Sequence, residues 1–158
     1  MSLNDTQMRY LTARVGKERI AFPVSDIRDV IIYEHVAPVP LAPRQVLGIL
    51  NLRGQIVTAL HLLSCLEETA PAEDGLKHSV VMGYQNDLYC LVIDAVGDVI
   101  TLDPNLRDQP PNSLKKGWKT YCKGIFPQGR DLILQLDIEE LLNDMISDPK
   151  ILRTGAAV

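Results

Sequence analysis

The chain has 158 residues, of which 46% are apolar and 23% charged, and it carries a net charge of −4. That length and balance describe one ordinary globular domain and exclude wholesale disorder. The acidic balance and scattered basic residues weigh against nucleic-acid binding, and no run of 18 apolar residues is present to span a membrane.

Aromatic residues are only 5%, so the core is expected to consist of Val, Ile and Leu, a bias that favours strands. Residues 10–15 read as a strand, 16–18 as a turn, and Ile20, Phe22 and Val24 alternate on the return. Ser25 is placed to cap a helical turn over 26–30, with Ile27, Val30 and Ile31 on one face. An extended stretch over 32–39 runs into Pro38, Pro40 and Pro43, which exclude a helix and stiffen the loop. Residues 47–52 and 55–60 form a strand pair around an Arg53-Gly54 turn, followed by a short helix over 61–66. The acidic segment 67–75, with a proline and a glycine, is the best internal boundary. Strands at 80–84 and 88–93 follow, then a tight turn over 94–99 and a polar, proline-bearing loop over 103–119. The basic stretch Lys115-Lys116-Gly-Trp118-Lys119 reads as part of that solvated loop. A hairpin over 122–126 and 132–136 leads to Asp137, an N-cap with Glu140 at the third helical position, and a helix to about Met145. Residues 148–158 read as a frayed tail.

An internal repeat underlies this order. RIAFPVSDIRDVI (19–31) aligns with LYCLVIDAVGDVI (88–100), and LGILNLRGQIVTALHLLSCL (47–66) with KGIFPQGRDLILQLDIEELL (123–142). The offsets are 69 and 76 residues, which an insertion of about seven residues after Leu102 accounts for. Two similar β units are therefore expected. Small units of short strands close into barrels, which removes exposed edges.

Chemistry-bearing motifs are few. The sequence contains no phosphate-binding glycine loop, HExxH or GxSxG. His61 and Cys65 are four apart, but as metal ligands they would need two more partners. Cys65 lies among leucines, which suggests core rather than a nucleophile. Cys65, Cys90 and Cys122 are far apart without a CxxC and read as reduced and buried. Asp94 and Asp98 lie at an expected turn, where Asp serves the backbone. No catalytic residue, metal or cofactor is expected. Instead, Ile27, Val30 and Ile31 beside Asp29 match Val96, Val99 and Ile100 beside Asp98, and such paired clusters suit an apolar cleft for an amphipathic helix.

PVPLAP at 38–43, followed by GILNLRGQIV at 48–57, closely resembles the CheW-like domain family, with its proline pair and its G-x-x-N-L-R-G-hydrophobic signature. The resemblance extends over YLTARV, RIAFPV, LVIDAV and LILQLDIEELL, from about residue 9 to 145. It implies a mainly β fold of two small SH3-like five-stranded β-barrels side by side, with a few short helices and a C-terminal helix. The lobes are expected at 19–75 and 76–145, with strand 9–15 in either lobe and tails at 1–8 and 148–158. The resemblance also implies a stand-alone adaptor that couples chemoreceptors to a CheA-type histidine kinase, and the opening MSLNDTQMRY, with no basic stretch followed by an apolar one, reads as that of a cytoplasmic protein.

In that reading the helical hairpin tip of a methyl-accepting receptor lies against Ile27, Val30, Ile31, Val96 and Val99. The kinase's regulatory domain meets Val36, Val39, Pro40 and Gly48, and other CheW-like domains are further partners in rings. Asp29 stands where the family commonly has Glu, and an ion pair with Arg53 is expected, because a half-buried arginine needs a carboxylate. His61 stands where the family usually has Asp, which implies a weakened helix cap. An adaptor of another chemosensory pathway, serving type IV pilus motility or gene-expression control, is the alternative within the family. An RNA-binding SH3-like barrel is disfavoured by the acidic balance and the lack of an aromatic stacking stripe.

Overall fold

The computed structural model describes residues 7–71 and 75–147. The expected tail 148–158, residues 1–6 of the N-terminal tail and residues 72–74 of the acidic boundary lie outside the described residues. Among the described residues, ten strands form: β1 (Met8–Val15), β2 (Glu18–Pro23), β3 (Ile27–Tyr33), β4 (Val46–Leu52), β5 (Gln55–His61), β6 (Lys77–Tyr84), β7 (Asp87–Ile93), β8 (Ala95–Leu102), β9 (Cys122–Gln128) and β10 (Asp131–Leu136). Among the described residues, three α-helices, α1 (Leu62–Leu66), α2 (Lys116–Tyr121) and α3 (Ile138–Ser147), accompany the strands.

The strands make two five-stranded sheets, in the orders β8-β1-β2-β10-β9 and β3-β6-β7-β5-β4. The two orders are the same pattern. In each, one parallel pair (β2 with β10, β7 with β5) sits among antiparallel ones. The repeat extends to irregularities. Gly48 opposes Ala59 beside a bulge, and Gly124 opposes Gln135 beside the equivalent bulge. Next to each glycine a lone bridge, Ala37 to Ile49 or Asp108 to Ile125, ties an edge strand to the chain leaving the opposite edge. These bridges close each sheet towards a barrel and cover its edges. The equivalent bridges lie 71 residues apart and the equivalent glycines 76, so most of the insertion falls between Asp108 and Gly124, where α2 is added.

The strands are shared between lobes in a way the expected split at residue 75 does not capture. Sheet one takes β1, β2 and β8–β10, and sheet two takes β3–β7. After β2, a single 3-10 turn (Val24–Asp26) carries the chain across to the other sheet, and Asp94 makes the equivalent crossing after β7. The first strand pairs with β2 and β8, so it belongs to sheet one.

Three further expectations are corrected. Residues 26–30 are not a helical turn, and Ser25 makes no cap bond. Alternation with period two (Ile27, Asp29, Ile31 and Tyr33 partly covered; Arg28, Val30 and Ile32 exposed) makes this segment strand β3. Residues 94–99 are mostly strand β8 rather than a turn. The basic stretch in 103–119 is not wholly solvated loop, because Trp118 is only 2% exposed and anchors α2. Its Nε1–H donates to Glu67 Oε2 at 2.7 Å, and Lys115 Nζ donates to Oε1 at 3.1 Å.

Both faces of the middle strands are buried. Val80, Met82, Leu91, Ile93, Ile20 and Phe22 point into a core shared by the two barrels and the helices. The intervening Val81, Cys90 and Val92 fill barrel two, and Ala21, Tyr10 and Ile133 fill barrel one. Near-continuous apolar runs such as Leu91-Val92-Ile93 are what two-sided burial requires.

Candidate functional site

The two-residue loop between β4 and β5 is Arg53-Gly54, with φ of 52° and 87°. Positive φ at both central residues is the hairpin turn whose twist matches the flanking strands. Asn51 Oδ1 accepts from Gly54 N at 2.8 Å and fixes the turn. The equivalent of Arg53 in the second repeat is Gly129, at φ 61°. Glycine adopts this conformation freely and arginine does not. The arginine side chain reaches Asp29, Nη2 to Oδ2 at 3.0 Å. Asp29 Oδ1 accepts from Val30 N, while Oδ2 has charge contact but no hydrogen bond of good angle. The expected ion pair is present with its burial reversed: Arg53 is 77% exposed and Asp29 25%. Among the described residues Asp98, the repeat partner of Asp29, makes no ion pair, and Gly129 takes the turn position that Arg53 occupies.

Residues 36–43 follow β3, and a lone bridge ties them to β4 of the same sheet. Ala37 exchanges two backbone bonds with Ile49, at 2.8 and 2.9 Å. Gly48, at φ 151°, lets that loop close, since a Cβ there would run into the Ala37 carbonyl. Val36 and Val39 are partly covered, and Val36 packs on the interior of barrel two; Pro40 is exposed.

Of the five residues expected in the apolar cleft, Ile27 and Val96 pack against the shared core and Ile31 against the interior of barrel two. Val30 and Val99 are exposed on the edge strands of different sheets. A cleft of about 540 Å³ between the barrels is lined instead by Met8, Tyr10, Arg28, Gly83, Arg107 and Ile138, among others. None of the five lines it. Six separate segments meet there, so no local sequence signal announces it.

His61 caps α1 as Asp137 caps α3. His61 Nδ1 accepts from Ser64 N at 3.3 Å, and Asp137 Oδ1 accepts from Glu140 N at 3.0 Å. Burial lowers the His61 pKa, with Asp94 opposing. Burial pushes the Cys65 thiol up to about 12, which leaves no thiolate for a His61–Cys65 pair. Asp94 Oδ2 accepts from Gly16 N at 2.6 Å, a structural tie between two turns. Among the described residues no three His, Cys, Asp or Glu side chains are grouped to hold a metal.

Residues 9–145 match the CheW-like domain family. The chain belongs to the CheW-like domain family. It is 26% identical over 147 residues to the chemotaxis protein CheW of Treponema pallidum, covering 90% of this chain and 86% of that protein. It is 27% identical over 139 residues to the Thermotoga maritima chemotaxis protein CheW, covering 88% and 90%. The crystal structure of the scaffolding protein TtCheW from Thermoanaerobacter tengcongensis shares the fold at a TM-score of 0.71 and 20% identity, covering 85% of this chain and 91% of that one. The CheW-like fold therefore accounts for both sheets and the C-terminal helix, and no described helix is long and apolar enough to cross a membrane.

Proposed function

We propose that this chain is a cytoplasmic adaptor that couples chemoreceptors to a CheA-type histidine kinase by protein–protein contact, without catalysis or a cofactor. The observation that carries the reading is an asymmetry between two otherwise equivalent barrels. Barrel two carries the Asp29–Arg53 pair, and its loop against Gly48 is wholly apolar over 36–43, whereas the equivalent loop against Gly124 in barrel one is polar, with Arg107, Asp108 and Gln109. A duplicated fold that builds one surface on one copy is fitted for a partner on that side.

In this reading the kinase's regulatory domain meets Val36, Val39, Pro40 and Gly48. The receptor's helical hairpin tip contacts the exposed Val30 and Val99, with Ile27, Ile31 and Val96 supporting them from beneath. Each contact is modest in area, and assembly into arrays, including rings with other CheW-like domains, comes from multivalency.

The test is a titration against a CheA-type kinase from the same genome. Saturable binding on the order of micromolar, weakened by Gly48→Ala, supports the adaptor. No binding to any kinase of that type overturns it.

A further inference from the structure

Residues 36–43 read Val-Ala-Pro-Val-Pro-Leu-Ala-Pro, eight residues without one polar side chain. Loops are usually built of polar and turn-forming residues, and this one is exposed at Ala37, Pro38, Pro40 and Leu41. Its backbone is fixed. Ala42 N donates to Val39 O at 3.2 Å, closing a turn with Pro40 at its second position and Leu41 at its third. Leu41 takes φ 66°. A turn of this kind favours glycine or asparagine at that place. Leu41 is also fully exposed, at 102% of its reference surface, so no intramolecular contact explains it. A lone exposed leucine is ordinary. One held in a disfavoured conformation, at the tip of a rigid apolar loop, is not.

We propose that Leu41 is the anchor and specificity-determining residue of the kinase-facing surface, inserting into an apolar pocket on the regulatory domain of the CheA-type kinase. The inference rests on the adaptor reading. The loop continues directly from Gly48 and the Ala37–Ile49 bridge, so anchor and platform are one rigid piece. Three prolines and the backbone bonds leave little entropy to lose on docking, which is how a single side chain comes to dominate an interface. Strain kept at an exposed position points to use by a partner.

The test compares the full chain with its Leu41→Asn, Leu41→Ala and Leu41→Met variants, each titrated against the CheA-type kinase and against a receptor hairpin, with Tm measured alongside. Asparagine relieves the backbone strain and removes the apolar tip. We expect Leu41→Asn to melt about 2–4 °C higher and yet bind the kinase about tenfold or more weakly. Leu41→Ala should be weakened similarly, Leu41→Met should bind almost as the parent, and receptor binding should be unchanged in all three. If the parent binds the kinase and Leu41→Asn and Leu41→Ala bind equally well, the anchor is overturned while the adaptor reading stands. If the parent fails to bind the kinase, both fall. A change confined to self-association in the variants would assign Leu41 to a second copy of this chain and overturn the proposal.

Discussion

Arg53 Nη2 stands 3.0 Å from Asp29 Oδ2, and of the two the aspartate is the shielded partner. The pair links the β4–β5 turn to strand β3 at the far side of the sheet order. The charge that needs compensation is the carboxylate, which already takes one bond from Val30 N. Arg53 is a solvent-facing guanidinium that leans on it, with a free edge left for a partner.

Arg53→Ala is therefore expected to cost less than about 1 kcal/mol of stability in urea denaturation, and less still at high salt. Binding of the kinase should fall more than stability does. A loss of several kcal/mol would show instead that the pair holds the barrel together.

Gly48 and Gly124 are equivalent but unequally crowded. A Cβ at Gly48 meets the Ala37 carbonyl head-on, whereas at Gly124 the nearest atom, Asp108 O, is 3.0 Å away. Both positions have positive φ, so both alanine variants carry strain. Gly48→Ala should cost about 2–3 kcal/mol and Gly124→Ala less. Equal changes in Tm would contradict the crowding argument.

Burial holds the His61 pKa below its ordinary 6.5. The unfolded chain therefore binds a proton at His61 before the folded one does. Stability should be level above about pH 7.5, fall as pH drops through about 6.5, and level off again below the lower folded value. His61→Asn keeps a cap acceptor and removes the titration, so its stability profile should be flatter across that window. Identical profiles would rule out His61 as the source.

The Glu67 pKa is also lowered, but by a hydrogen bond rather than by burial. The Trp118 indole bond, then Lys115, hold its carboxyl below the usual value despite some desolvation. Its contribution is present above about pH 4.5 and lost as pH falls through the lower folded value. Trp118→Phe should cost about 1–3 kcal/mol near neutral pH, from the lost bond and packing. That penalty should shrink in acid, measured by urea midpoints from pH 7 to 3.

Burial pushes the Cys65 and Cys90 thiols up to about 12. Native protein should therefore react slowly with a thiol reagent at pH 8 at both sites, and rapidly once unfolded. Fast native labelling of Cys90 would mean that barrel two opens readily.

Much of this molecule was legible in its residues. The duplication, the hairpin around Arg53-Gly54, the paired strands at 80–84 and 88–93, the α3 cap at Asp137 and the Asp29–Arg53 pair follow from spacing, turn chemistry and family resemblance, all of which live in short windows or matched motifs. Leu41 was in plain view between two prolines, but its exposure and its φ belong to the folded chain. The misread elements share a cause. Ser25 and the apolar pairs in 26–31 mimic a helix start, and Val96-Gly97-Asp98 mimics a turn. Each becomes strand only because an edge of β6 or β1 is there to receive it.

Sequence alone thus determined the kinds of elements and their repetition, since alternation, turn residues and caps act over a few residues. Tertiary structure decided which sheet each strand joined, the reversal of burial in the ion pair, and the cleft between the barrels. Those depend on pairings across many tens of residues, where the backbone hydrogen bonds are alike for every strand and only the burial of the whole chain selects among them.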